Sequence, residues 1–324
     1  MRPGLPSRRD CLRLSLAALG AAALPLAAAE PPPVDTWDLD WTDSARRREV
    51  PVRLYLPRAA HAGAPAPLMV FSHGIGGSRR GYMWLGQHVA AHGVASLHLQ
   101  HVGSDRQIWT GGNLWGVVGR LHDAAQEGEA VARVQDWRFA VDTLLDSVYA
   151  PRVDASRIVA AGHSYGANTT LLASGARVPR PGGAIALHDE RVRAAIVISA
   201  PPFYGEGEPR KILSSIAVPS LHVTATEDII RIPGYYSGAD DRVAVFDATG
   251  GPRKWLAVYE GGSHSMFTDR GGTGGALLNP QVKAATQSLV LAFLQTVFDG
   301  DETALAAWPL RHAALLARFS EVRG

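Results

Sequence analysis

The chain has 324 residues, of which 46% are hydrophobic and 19% are charged, and its formal net charge is +2. This composition is typical of one large globular domain and excludes a disordered chain. Without residues 1–29, Lys+Arg falls from 32 to 28 and Asp+Glu from 30 to 29, so the net charge becomes −1. A basic surface for nucleic acid is therefore not expected. Cys11 is the only cysteine, so the remaining chain has no disulfide and no thiol nucleophile.

The first 29 residues predict an export signal. Arg8 and Arg9 precede an apolar, alanine-rich run at 14–29, which ends in small residues suited to cleavage after Ala29. This order is typical of a twin-arginine signal, and it predicts a periplasmic or secreted protein that uses the twin-arginine export machinery. An ordinary N-terminal helix or anchor is the alternative. The run is too short for a stable membrane span.

Residues 30–324 are predicted to form a single domain in which strands and helices alternate. Residues 30–36 are proline-rich and are expected to form a flexible lead-in. The expected strands lie at about 50–56, 67–72, 95–100, 157–162, 194–199, 219–224 and 255–260. The expected helices lie at about 81–92, 133–147, 165–175, 281–298 and 302–318. This alternation predicts an α/β fold with a mostly parallel central sheet covered by helices on both faces.

The stretch 103–132 interrupts the alternation and contains two tryptophans, Trp109 and Trp115. Connections of this length often act as lids or as walls of a binding site, so a lid-like insertion is predicted here. The alternative is a surface excursion with its own short helix at about 121–132.

The pentapeptide Gly162-His163-Ser164-Tyr165-Gly166 follows an apolar strand and opens a helical stretch. In G-x-S-x-G the glycines allow a sharp strand-to-helix turn, which lifts the serine hydroxyl above the edge of the sheet. Chance can produce such a short pattern, so its partners must support it. Ser164 is the candidate nucleophile.

Serine needs a base to take its proton and a carboxylate to orient that base. After the strand at 219–224 come Glu227 and Asp228, and after the strand at 255–260 comes His264 in a glycine-rich loop. Active sites of open α/β sheets lie at these carboxyl ends. Asp228 is the predicted acid, with Glu227 as its rival. His264 is the predicted base, because its ordinary pKa near 6.5 lets it accept and return a proton.

A glycine-rich turn at 71–77 follows an early strand, where one donor of an oxyanion hole is expected. The backbone amides of Ile75 and Tyr165 are the predicted donors. For the substrate-binding wall we expect Phe203 and Met266 together with the two loop tryptophans. This chemistry requires no metal and no cofactor.

These four motifs together resemble the α/β-hydrolase superfamily over about residues 50–298. More narrowly, they resemble its dienelactone-hydrolase-like branch, with platelet-activating-factor acetylhydrolases and bacterial cutinase-like polyester hydrolases as relatives. The resemblance implies a serine ester hydrolase with Ser164, Asp228 and His264 as its triad. Dienelactone hydrolases use a cysteine nucleophile, which argues against dienelactone as the substrate.

The expected substrates are short-chain or acetyl esters, small or polymeric. Two alternatives remain open within the hydrolases, namely a polyester and a lipid-like acyl ester. A third alternative, from a different class, is a non-catalytic exported binding protein on the same fold.

Overall fold

The computed structural model describes residues 34–58, 64–110, 114–232, 234–270 and 275–323. The strands are β1 (Val34–Asp43), β2 (Arg48–Pro57), β3 (Ala66–Ser72), β4 (Ala95–Leu99), β5 (Val153–His163), β6 (Arg177–Arg180), β7 (Gly183–Ala186), β8 (Val192–Ile198), β9 (Ser220–Glu227), β10 (Ile230–Ile232), β11 (Tyr235–Ser237), β12 (Arg253–Ser263) and β13 (Leu316–Arg323). The helices are α1 (Met83–Ala91), α2 (Leu114–Ala124), α3 (Glu127–Leu145), α4 (Tyr165–Ala173), α5 (Pro209–Leu213), α6 (Ala239–Ala248), α7 (Leu278–Asp299) and α8 (Thr303–Arg311). The predicted export signal lies outside the described residues.

Nine of these strands form one sheet in the order β1-β2-β4-β3-β5-β8-β9-β12-β13. The pairs from β4 through β3, β5, β8 and β9 to β12 are parallel, whereas β1, β2 and β13 pair antiparallel at the two edges. The strands β6-β7 and β10-β11 form two small hairpins outside this sheet. The prediction of a mostly parallel sheet is confirmed.

The central strand β5 shows that both faces of the sheet are covered. Ile158 and Ala160 belong to a core cluster that also contains Trp137 of α3. The alternate residue Val159 belongs to a second cluster, which contains Phe293 of α7. Side chains alternate between the faces of a strand, so these clusters lie on opposite sides. Full burial of each large apolar side chain stabilises the fold by about 1.5–3 kcal/mol.

Two predictions at the ends of the domain were wrong. The lead-in predicted for 30–36 already contains the start of β1, because Val34 pairs with Pro57 of β2. The helix predicted for 302–318 ends at Arg311, and the chain then forms β13 along β12. The backbone N–H and C=O groups at the open edge of β12 gain hydrogen-bond partners when β13 pairs with it. A local helical pattern in the sequence cannot reveal this pairing.

The stretch 103–132 has secondary structure of its own. A short 3₁₀ turn at Arg106–Trp109 precedes α2, and α3 already begins at Glu127. The helix of the alternative interpretation therefore exists, but it lies earlier in the chain than expected. In the described part of the chain, no helix is both long and apolar enough to cross a membrane.

Several histidines are buried within the fold, and burial disfavours their charged form. Burial lowers the pKa of His98 to about 4 and, together with nearby positive charges, lowers that of three others to about 3. The buried histidines with lowered pKa are His73, His98, His101, His163 and His222. All five are therefore neutral in the folded protein at neutral pH.

Candidate active site

Ser164 occupies a strained turn between β5 and α4. Its backbone has φ 56° and ψ −124°, a conformation that side-chain-bearing residues rarely adopt. A Cβ added at Gly162 would come within 2.2 Å of the Gly166 carbonyl oxygen, and one at Gly166 within 1.9 Å of the Ser72 carbonyl oxygen. The two motif glycines are thus required by close backbone approach.

The structure brings Ser164, His264 and Asp228 together in one hydrogen-bonded chain. His264 Nε2 lies 2.8 Å from Ser164 Oγ, and His264 Nδ1 lies 2.7 Å from Asp228 Oδ1. An ionised carboxylate can only accept, so Nδ1 donates to it and Nε2 is left to accept the serine proton. Ser164 follows β5, Asp228 follows β9 and His264 follows β12, at the carboxyl ends of three parallel strands.

Asp228 is completely buried and has three polar neighbours. Thr224 Oγ1 donates to its Oδ2 over 2.8 Å, and Arg242 Nη2 lies 3.5 Å from its Oδ1. Burial alone would raise the pKa of Asp228. The positive charge of His264, its hydrogen bond to the carboxylate and the charge of Arg242 together hold that pKa well below its usual range. The rival Glu227 is exposed at the end of β9. Asp228 is therefore the carboxylate that contacts His264.

The glycine-rich loop after β3 packs directly against the serine turn. A Cβ at Gly74 would lie 3.1 Å from Ser164 Cβ. Within this loop the amide of Gly76 donates to the Ser104 carbonyl and that of Gly77 to the Gly74 carbonyl. The amide of the preceding Ile75 has no backbone acceptor among the described residues, so it is available to a ligand. Tyr165 is the first residue of α4, where a helix offers amides without an intrahelical acceptor.

A buried hydrogen-bond chain connects this loop to the histidine of the site. The Gly74 amide lies 3.5 Å from Tyr82 Oη, which donates to His163 Nδ1 over 2.8 Å. His163 Nε2 in turn donates to the backbone carbonyl of His264 over 3.0 Å. His163, which precedes Ser164 in the motif, thus holds the backbone of the candidate base His264 in place.

Arg133 of α3 supports the loop from behind. It is fully buried, and its guanidinium donates to the His73 carbonyl over 2.5 Å and to Ser104 Oγ over 2.8 Å. The same guanidinium lies 4.5 Å from the ring centroid of Tyr165. One buried cation therefore holds both predicted oxyanion segments in place.

A cavity of about 420 Å³ opens beside Ser164. Ile75 and Tyr165 line it next to the serine, and Phe203 lines it as predicted. Further lining residues come from α2, α3, α4 and the two small hairpins: Leu121, Val131, Asn168, Leu172, Val178, Arg180, Ile185, Ile230 and Tyr235. Pockets of this size and largely apolar character bind small organic ligands.

Three of the four residues expected in the substrate wall lie elsewhere. Met266 is fully buried in the second core cluster, where a Cβ added at Gly262 would lie 2.1 Å from its sulfur. Trp109 donates from Nε1 to the Gly76 carbonyl over 2.9 Å, so it holds the glycine-rich loop instead of lining the cavity. Trp115 on α2 is 81% exposed. The described 103–132 segment lines the cavity through smaller side chains such as Leu121.

Sequence reasoning missed several residues around the site. Thr224 and Arg242 contact Asp228. Asn168 lines the same cavity as Ser164, and Tyr82 contacts His163. Thr224 stands at a strand end four residues before Asp228, a position that could have been noticed. Arg242 is distant in sequence and carried no local signal.

Comparisons with known proteins support the fold. A family model described as platelet-activating factor acetylhydrolase, isoform II, matches residues 49–109, from β2 to the 3₁₀ turn at Arg106–Trp109. Among solved structures, a ferulic acid esterase from Streptomyces cinnamoneus is 22% identical, with a TM-score of 0.59, over 86% of this chain and 94% of that chain. A comparison with curated proteins found no match. The chain has the α/β-hydrolase fold. Its predicted resemblance to platelet-activating-factor acetylhydrolases is confirmed over residues 49–109.

Proposed function

We propose that this protein is a serine hydrolase of carboxylic esters. The observation that carries the proposal is the continuous hydrogen-bond chain from Ser164 through His264 to the buried Asp228. The matching family model is described as an acetylhydrolase and the ferulic acid esterase as an esterase, and these names support the same reaction class.

The geometry supports a double-displacement mechanism. His264 takes the proton of Ser164 as the hydroxyl attacks the ester carbonyl, and Asp228 stabilises the imidazolium that forms. The amides of Ile75 and Tyr165 donate to the oxyanion of the tetrahedral intermediate, and removing one such donor typically costs about 3 kcal/mol. His264 then protonates the leaving alcohol, and water activated by the same imidazole releases the acid from the acyl-enzyme.

Short-chain or acetyl esters are the proposed substrates. The cavity beside Ser164 is bounded by α2, α3, α4 and both small hairpins, and this favours a compact acyl group over a polymer chain. Polyesters and lipid-like esters remain the alternatives within the same chemistry. A complete nucleophile, base and acid argue against a protein that only binds its ligand.

The test is hydrolysis of p-nitrophenyl acetate and butyrate by the chain without residues 1–29. The wild type should release p-nitrophenol and react covalently with a fluorophosphonate, whereas Ser164→Ala should do neither. Ser174→Ala, at the buried end of α4, is the matched serine control and should keep both properties. Equal behaviour of wild type and Ser164→Ala would show that the proposed function is wrong.

We also propose export through the twin-arginine pathway, on the strength of the N-terminal pattern. Full-length protein should accumulate outside the cytoplasm of a bacterium that has this pathway. Replacing Arg8 and Arg9 by lysine should retain it in the cytoplasm. Export that is unaffected by this double substitution would contradict the proposal.

A further inference from the structure

Two polar groups in the cavity wall are buried without a hydrogen-bond partner. Asn168 is 7% exposed, and its Oδ1 has no partner. Tyr165 Oη is likewise buried and unpartnered. Both residues line the cavity beside Ser164. Leaving a buried polar group unpaired costs about 1–3 kcal/mol, so a polar group that enters the cavity and reaches these atoms would be stabilised by pairing with them.

Other polar side chains of the same wall already have partners. Arg180 donates to both carboxylate oxygens of Glu206 at 2.5 Å. Tyr204 Oη lies 2.7 Å from Ser237 Oγ. Among the described residues that line the cavity, the buried unpaired side-chain atoms both belong to α4, next to the candidate nucleophile.

The cavity lies on the acyl side of the site. In the proposed mechanism the leaving alcohol must lie close to His264 Nε2, which protonates it. Neither His264 nor its neighbours in 263–267 line the cavity, whereas both predicted oxyanion residues do. The part of the ester that stays on Ser164 therefore points into the cavity.

The position of Asn168 limits where a polar group of the substrate can be. Asn168 is four residues after Ser164 along α4, which is about 6 Å of helix and places the two residues on the same side. Leu172, one turn further along α4, and Ile75 add apolar side chains to the wall. A hydroxyl two or three carbons from the ester carbonyl would reach the Asn168 amide, which can both donate and accept.

We propose that the cavity selects acyl groups that carry a hydroxyl close to the ester carbonyl, and that Asn168 and the Tyr165 hydroxyl recognise it. This inference rests on the proposed function and narrows its substrate class to esters of short hydroxy acids. Arg133, stacked on the Tyr165 ring, holds that side chain in position to act. Asn168 and the Tyr165 hydroxyl are specificity-determining groups, separate from the backbone amide of Tyr165.

The experiment compares kcat/KM for ethyl 3-hydroxybutyrate and ethyl butyrate, measured by acid release at constant pH. Asn168→Leu replaces the amide with an apolar side chain of similar size, and Tyr165→Phe removes only the hydroxyl. Each should reduce the preference for the hydroxy ester by about fivefold or more, the effect of one lost hydrogen bond. The preference is the ratio of kcat/KM for the hydroxy ester to kcat/KM for ethyl butyrate. Comparing this ratio between wild type and variant cancels the difference in intrinsic reactivity of the two esters.

Leu172→Met is the matched control, because it changes the same wall without touching a polar group, and it should leave the preference unchanged. A preference that stays the same in both Asn168→Leu and Tyr165→Phe would overturn the inference, even if both esters are hydrolysed. If one variant fails to fold, the other decides the question.

A failure of the proposed function is distinguishable. If wild type hydrolyses neither ester, binding of both to Ser164→Ala by saturation-transfer NMR still tests the cavity. Tighter binding of the hydroxy ester that disappears with Asn168→Leu would support the inference, and equal binding of the two esters would overturn it.

Discussion

Replacing Asp228 by asparagine removes one negative charge from the site and leaves its shape nearly unchanged. The asparagine oxygen can still accept from His264 Nδ1, because the hydroxyl of Thr224, now 2.8 Å from Oδ2, can turn to accept from the new amide group. The tautomer of His264 is then kept, and the main loss is the attraction between the carboxylate and the imidazolium that forms during the reaction.

That attraction sets the size of the effect. Asp228 Oδ1 and His264 Nδ1 are 2.7 Å apart. The centres of the two charges are then about 4 Å apart, and at an effective dielectric constant near 20 they attract by about 4 kcal/mol. If this energy is lost only in the transition state, kcat falls about 10³-fold while KM changes little.

The assay is steady-state hydrolysis of p-nitrophenyl butyrate, with circular dichroism to verify that each variant is folded. Glu227→Gln is the matched control, because it removes the adjacent, exposed carboxylate and should change kcat by less than about threefold. The reasoning is refuted if Asp228→Asn keeps more than about a tenth of the wild-type kcat, or if Glu227→Gln loses as much as Asp228→Asn.

Two further predictions concern stability. Gly166→Ala should unfold the domain or lower its melting temperature strongly, since the new Cβ would lie 1.9 Å from the Ser72 carbonyl oxygen. Gly119 lies in the interior of α2, and a Cβ added there would meet nothing within 4 Å. Gly119→Ala should therefore raise the free energy of unfolding in urea by up to about 1 kcal/mol. Similar effects of the two substitutions on stability would contradict this account. The five buried histidines have lowered pKa values in the folded protein, so below about pH 6.5 the unfolded chain binds more protons than the folded one. As the pH is lowered from there, each of these histidines reduces the free energy of unfolding by about 1.4 kcal/mol per pH unit. Urea titrations at pH 7, 6 and 5 should show this loss, His222→Gln should make it less steep, and a free energy of unfolding independent of pH would exclude it.

The strands of the sheet and the order of the site residues could be predicted because both depend on local signals. Apolar runs of five to eight residues bounded by turn residues indicate buried strands. Parallel strands all end at the same edge, so residues that follow them, such as Ser164, Asp228 and His264, are expected to converge. Their roles in catalysis stay predictions until the variants are measured.

The chain ends and the substrate wall could not be predicted. The strand β13 forms because an open edge of β12 is available to pair with it. The sequence of residues 302–318 carries no information about that edge. Met266 and Trp109 stand next to site motifs in sequence, yet a side chain can turn into the core or onto a neighbouring loop. Exposure and direction depend on contacts between distant segments.

The sequence by itself determined the fold class and a candidate nucleophile, acid and base in that chain order, because strand-end chemistry is encoded within a few residues of each strand. Only the tertiary structure decided that Asp228, not Glu227, contacts His264, since adjacent residues point in different directions and one direction leads to solvent. It also decided which side chains surround the cavity. The spacing of Asn168 from Ser164 is local, but only the tertiary structure shows that its Oδ1 is buried without a partner in the wall of the cavity.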